Sequence, residues 1–152
     1  MQGQGGRYAI VRMSKIITLF LTVMTLASAA DLPSKKWLNL AALKTMVAGA
    51  EAEAQKRNVQ VTICIVDESG NLLFLQKADT GGLNTVEFAQ RKARYAALYK
   101  RPSKAAADQL TSGNLSILAM PNGFPNRGGL PIILDGQTLG GIAGSAAASG
   151  VD

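Results

Sequence analysis

The apolar positions of this chain change rhythm several times after residue 39, and each change marks an element. Leu40, Leu43, Val47, Ala50 and Ala54 recur at three- and four-residue steps, which predicts a helix from Leu40 to about Arg57 with one apolar stripe. Asn39 stands at the N-cap, Asn58 suits a left-handed C-cap, and Glu51, Glu53, Lys56 and Arg57 form the solvated side. Val61 to Val66 is then a nearly continuous β-branched run, a strand signal. Asp67-Glu68-Ser69-Gly70-Asn71 supplies turn residues, and Leu72 to Gln76 is a second short strand, so the pair reads as an antiparallel hairpin.

The helical rhythm returns after the loop Asp79-Thr80-Gly81-Gly82. Asn84 with Glu87 three residues on predicts a capping box. The helix places Phe88, Lys92, Tyr95 and Tyr99 along one side, with Ala89, Ala93, Ala96 and Ala97 beside them, and Lys100-Arg101-Pro102 ends it. Ser103 is placed to cap a short helix through about Leu110. Thr111 to Asn126, with two prolines, two glycines and three asparagines, reads as a long loop with one helical turn, the kind that often carries function. Leu130 to Leu134 and Gln137 to about Ser145 form a last hairpin about Asp135-Gly136. Gly140, Gly141 and Gly144 in its second strand imply bulges or close backbone approach. Hairpins flanked by helices give an α+β fold with one antiparallel sheet.

Composition narrows the class. With 152 residues the chain suits one domain, and 47% hydrophobic residues suffice for a core. The formal charge of +6 is uneven: Arg7, Arg12 and Lys15 precede residue 30, where no acid occurs, and the remainder carries 13 basic and 10 acidic residues. That balance, with no basic helix or aromatic-basic platform, argues against nucleic acid as a partner. Met13-Ser14-Lys15, the apolar run Ile16 to Leu26 and Ala27-Ser28-Ala29-Ala30 have the form of a secretory signal peptide. The expectation is therefore an exported protein, periplasmic or secreted, without an integral span after cleavage; the rival is an uncleaved N-terminal anchor.

The absence of histidine excludes catalytic triads and His-ligated zinc or heme within the chain. The single Cys64 cannot form an internal disulfide and reads as a small buried hydrophobe. No carboxylate cluster suggests a metal site, and no catalytic residue stands out. Gly136 to Gly144 lacks the Lys-Ser/Thr sequel of a phosphate loop. Arg91-Lys92-Ala93-Arg94 sets three positive charges in one helical turn, and Tyr95 and Tyr99, four residues apart, face one way. Such a surface suits an anionic planar ligand; its rival is a solvated face with packed tyrosine rings. If that ligand carries iron, Tyr95, Tyr99, Met46, Met120, Cys64 or a lysine remain as axial candidates. Gly128-Gly129 forms a turn whose amides would line a pocket.

Two blocks carry a family resemblance. Val66-Asp67, Gly70 and Leu72, then Ala89, Lys92-Ala93, Ala96-Ala97 and Arg101-Pro102-Ser103 form the first. Gly128-Gly129-Leu130-Pro131-Ile132, Asp135-Gly136 and Gly140-Gly141-Ile142-Ala143-Gly144-Ser145 form the second. Their order and spacing resemble the GlcG/HbpS-like heme-binding family over roughly Leu40 to Ser149. The resemblance implies one such domain over residues 30–152 behind an extension and signal peptide at 1–29, with a profilin-like fold. It also implies binding of heme or a related tetrapyrrole, a role in heme handling or sensing, and homo-oligomers. The ligand residues expected on this basis are Lys92 first, then Arg91, Arg94, Tyr95, Tyr99, Met120, Gly128 and Gly129. An accessory or enzymatic role in small organic-acid or corrinoid metabolism is the alternative. Family members usually add a helix after the Gly-Ser strand, and this sequence stops where that helix would begin.

Overall fold

The computed structural model describes residues 34–146. The chain divides into two compact units, Met1–Lys35 and Lys36–Asp152. The expected signal peptide and its cleavage site lie outside the described residues, and so does whatever follows residue 146.

In the second unit, helix α1 (Leu40–Lys56) leads into strands β1 (Val61–Asp67) and β2 (Leu72–Gln76). Helix α2 (Thr85–Tyr99), helix α3 (Lys104–Thr111) and a 3-10 turn (Leu115–Ala119) precede strands β3 (Gly129–Leu134) and β4 (Gln137–Ala146). The four strands form one antiparallel sheet in the order β2-β1-β4-β3, so the expected α+β class and both hairpins are observed. The crossover is the pairing of β1 with β4, from Val61 opposite Ala146 to Asp67 opposite Gly140.

Local chemistry explains most element ends. The Asn39 side chain accepts a hydrogen bond from the Ala42 N–H at 2.8 Å, and Asn58 adopts a left-handed φ of 52° after α1. The Asp67 carboxylate accepts from the backbone N–H groups of Ser69 and Asn71 and closes the β1–β2 turn. Asp135 and Gly136 have φ of 49° and 77°, the positive pair of a type I′ turn.

Two predicted caps are corrected. Asn84 makes no side-chain cap bond; instead the Thr85 hydroxyl donates to the Gly82 carbonyl and meets the Thr62 hydroxyl on β1, each at 2.8 Å. Ser103 likewise does not cap α3: it is buried, and its hydroxyl accepts from the Gly129 N–H at 2.9 Å. In both cases a hydroxyl near the helix start meets a distant strand, Thr85 at Thr62 of β1 and Ser103 at Gly129 of β3.

The two faces of the sheet are covered differently. On one face Cys64, Val66 and Ala143 pack against Ala89, Ala93 and Ala97 of α2. The small side chains let the helix approach until backbone nearly touches backbone. A Cβ on Gly141 would stand 2.3 Å from the Ala93 carbonyl oxygen, and one on Gly129 would stand 2.4 Å from that of Lys92. The other face carries Ile63 and Ile65, which pack against Leu43 and Val47 of α1 with Ile132 and Ile142 at the margin. A third cluster, Tyr95, Ala106 and Ile117 with Tyr99, Leu110 and Met120 around it, joins α2 to α3 and the 3-10 turn.

Candidate functional site

The α1 stripe runs Leu43, Val47, Ala50, Ala54, so its side chains shrink toward the C-terminal end of the helix. Opposite that end, Gly128 and Gly144 bring no side chain either. Helix and sheet therefore part, leaving an open groove of about 310 Å³. Its sheet wall is Val61, Ile63, Leu130 and Ile142, and its helix wall is Ala50 and Ala54. This size lies at the small end of the range for small-molecule sites, and apolar walls with few polar groups are typical of them.

The rim supplies the polar chemistry. Glu53 and Arg57, one helical turn apart on α1, both line the groove, and the Arg57 Nε–H donates to Glu53 Oε1 at 2.8 Å. Lys56 Nζ stands 3.8 Å from the same carboxylate. The hydrogen bond from Arg57, then its charge and that of Lys56, hold the Glu53 carboxyl below the usual carboxylate range. Glu53 and Arg57 are the two charged residues that line the groove, and Lys56 adds a third charge beside them from outside the lining. A second, polar recess of about 250 Å³ lies behind the Ala54, Val59 and Val61 wall, lined by Glu51, Gln76, Lys77 and Asp79.

The eight residues singled out from sequence do not form one surface. Lys92 and Tyr95 are fully buried, and among the described residues no buried side-chain nitrogen or oxygen lacks a partner, the Lys92 ammonium included. Arg91 is exposed, reaches Glu87 at 3.7 Å and lays its guanidinium 4.3 Å from the centre of the Phe124 ring. Arg94 is also exposed, but its side chain runs beside Gly70 in the β1–β2 turn. Tyr95 and Tyr99 do face one way, stacked at 4.7 Å, with the Arg101 Nε–H donating to the Tyr95 hydroxyl at 2.9 Å. The Tyr99 hydroxyl donates to the Pro121 carbonyl, and Met120 packs in the same cluster. Gly129 is pressed beneath α2, whereas Gly128 lines the groove and accepts from the Gly144 N–H through its carbonyl at 3.1 Å.

Of the eight, Gly128 alone lines the groove. Glu53 and Arg57, expected on the solvated side of α1, stand on the groove rim. The signal available was the decline from Leu and Val to Ala along the α1 stripe.

Comparison with known proteins places the chain among relatives. Residues 38–152 match the model of a family described as "Haem degrading protein HbpS-like". The chain is similar to Protein GlcG of Escherichia coli K12, 33% identical over 97 residues that span 64% of this chain and 72% of GlcG. Among solved structures it is similar to a double mutant of Streptomyces reticuli HbpS, with TM-score 0.71 and 27% identity over 80% of this chain and 83% of that one. It also shares the fold of a PduOC:heme complex, with TM-score 0.67 and 24% identity over 74% and 85% of the two chains.

Proposed function

The chain belongs to the HbpS-like family, and from that premise we propose that it is an exported protein that binds heme or a related tetrapyrrole in the groove between α1 and the sheet. The observation that carries the site is the apolar groove of about 310 Å³ with the paired Arg57 and Glu53 at its rim. A tetrapyrrole is flat and apolar over most of its area and carries carboxylates at one edge. Val61, Ile63, Leu130 and Ile142 answer the first property and Arg57 the second. The groove is open, so one side of a ring would remain uncovered, and a second copy of the chain is the partner that would cover it. No helix among the described residues is long and apolar enough to cross a membrane.

The test is absorption titration with hemin. The purified mature protein should develop and shift a Soret band at stoichiometric hemin, and loss of that band with a reductant would add turnover to binding. Leu130 is 56% exposed on an edge strand, so Leu130→Asp leaves the core intact. Replacing that apolar contact by a charge removes about 1.5–3 kcal/mol, so hemin affinity should fall at least about tenfold with circular dichroism unchanged. Wild-type affinity in Leu130→Asp would move the site out of the groove. Export is tested separately: the N-terminus of the mature protein should be Ala30 or Asp31, and a mature protein retaining Lys15 would reject the signal peptide. Assembly is read by sedimentation at micromolar concentration, where a monomer alone would count against homo-oligomers.

A further inference from the structure

We propose that the groove recognises its ligand by ring and carboxylate while leaving the centre of the macrocycle uncoordinated, so that it takes a metal-free dicarboxylic porphyrin as tightly as hemin. This rests on the groove reading above and sharpens it to a ligand chemistry.

The donor set carries the argument. The groove is lined by alanine, valine, isoleucine, leucine and glycine, and by two polar side chains, Glu53 and Arg57. An arginine does not ligate iron, since its guanidinium has donors and no lone pair to offer. The Glu53 carboxylate is engaged by the Arg57 Nε–H at 2.8 Å and by Lys56 at 3.8 Å, and these cations favour its charged, paired state. The carbonyl of Gly128, a lining residue, receives the Gly144 N–H.

Lys56, the lysine beside the rim, does not line the groove and holds its ammonium 3.8 Å from Glu53, and the other side chains whose chemistry would suit iron lie elsewhere. Cys64 is buried against α2 on the opposite face of the sheet. Tyr95 is fully buried among α2, α3 and the 3-10 turn, and its hydroxyl receives the Arg101 Nε–H. The Tyr99 hydroxyl is directed to the Pro121 carbonyl, and Met120 packs against the same cluster. Met46 packs into the core beside Leu43 and Val47, at the filled end of the α1 stripe. Histidine is absent from the whole chain. A family described by heme therefore meets, in this groove, a site equipped for everything about heme except its iron.

Arg57 supplies the polar half of the recognition. Of its five N–H donors, the Nε–H is spent on Glu53, and the terminal amino groups remain to take a carboxylate. Its side chain is 60% exposed, so the contact forms at the groove mouth, where a propionate would lie if the ring enters with its apolar edge first.

The experiment compares three ligands, hemin, protoporphyrin IX and protoporphyrin IX dimethyl ester, on the wild-type protein and on Arg57→Ala. Binding is followed by absorbance and by quenching of porphyrin fluorescence. The expected result is equal affinity for hemin and protoporphyrin IX within about threefold, and at least about tenfold weaker binding of the diester. Arg57→Ala should lower the two acids to the level of the diester and leave the diester unchanged. Hemin binding tenfold or more tighter than protoporphyrin IX would overturn the proposal, because an iron ligand would then be at work. The groove reading would survive that result if Leu130→Asp still weakened hemin binding at least about tenfold. Failure of all three ligands to bind would overturn the proposal and the groove reading together.

Discussion

The two faces of the sheet solve the same packing problem in opposite ways. Under α2, small residues are used to close space. Ala89, Ala93 and Ala97 sit over Gly129 and Gly141, and helix backbone comes to rest on strand backbone. Under the C-terminal half of α1, small residues leave space open. Ala50 and Ala54 face Gly128 and Gly144, yet the helix does not descend. The difference lies in what precedes them. Leu43 and Val47 prop the first turns of α1 on Ile63 and Ile65, so the later alanines are held above the sheet. Small side chains make a seal where a whole helix face is small, and a groove where large neighbours set the spacing.

The largest effect should come from forcing a side chain into the sealed face. A Cβ on Gly141 meets the Ala93 carbonyl oxygen at 2.3 Å and the Ala97 nitrogen at 3.0 Å, both backbone atoms that cannot rotate away. Gly141→Ala must lift α2 and should cost about 3 kcal/mol, or a fall in Tm on the order of 10 °C by calorimetry. Gly144→Ala on the groove side meets only the Val61 Cγ2 methyl, at 3.1 Å, and should cost less than about 1 kcal/mol. Equal losses for the two variants would erase the distinction between the faces.

This contrast also marks how far the sequence could be read. Elements fixed by their own neighbours were legible: the α1 stripe with Asn39 and Asn58 at its ends, the Asp135-Gly136 turn, and both hairpins. The glycines of β4 were legible as close approach, though not what they approach. Tyr95 was not legible as buried, because a tyrosine looks solvated until α3 and the 3-10 turn are known to close over it, and neither was Lys92, whose backbone lies on Gly129 of β3. The groove was legible least. It exists only where Ala50 and Ala54 face Gly128 and Gly144, and those residues meet through a strand crossover that periodicity does not reveal.

A smaller effect concerns Cys64, which sits on the sealed face with no exposed surface. Burial pushes its thiol up to about 12 from an ordinary 9.0. The sign follows from that raised value: the folded state resists ionisation, so this contribution to stability is whole below pH 9.0 and is lost as pH rises toward about 12. Iodoacetamide should therefore label the native protein at pH 8 at least about a hundredfold more slowly than the unfolded chain, at a rate set by opening of the α2 face. Rapid labelling of the native protein would mean that α2 does not seal the sheet.

The smallest effect is a gain, and it tests the other helix. Gly49 lies in the middle of α1 on its exposed side, and a Cβ there would meet nothing within 4 Å. Its φ is not positive, so the backbone already suits alanine. Glycine in a helix interior costs about 0.5–1 kcal/mol relative to alanine, because the unfolded chain loses more freedom on folding. On α2 such a term would be minor beside tertiary packing. On α1 it counts for more, since Leu43 and Val47 are its buried anchors and the turns after them stand over the groove. Gly49→Ala should therefore raise Tm by about 2–5 °C and leave hemin affinity unchanged, because position 49 does not line the groove and a Cβ there touches nothing. A gain in stability with a loss of hemin binding would show that the groove opens by bending α1 near Gly49, and the open face would then be a moving one rather than a propped one.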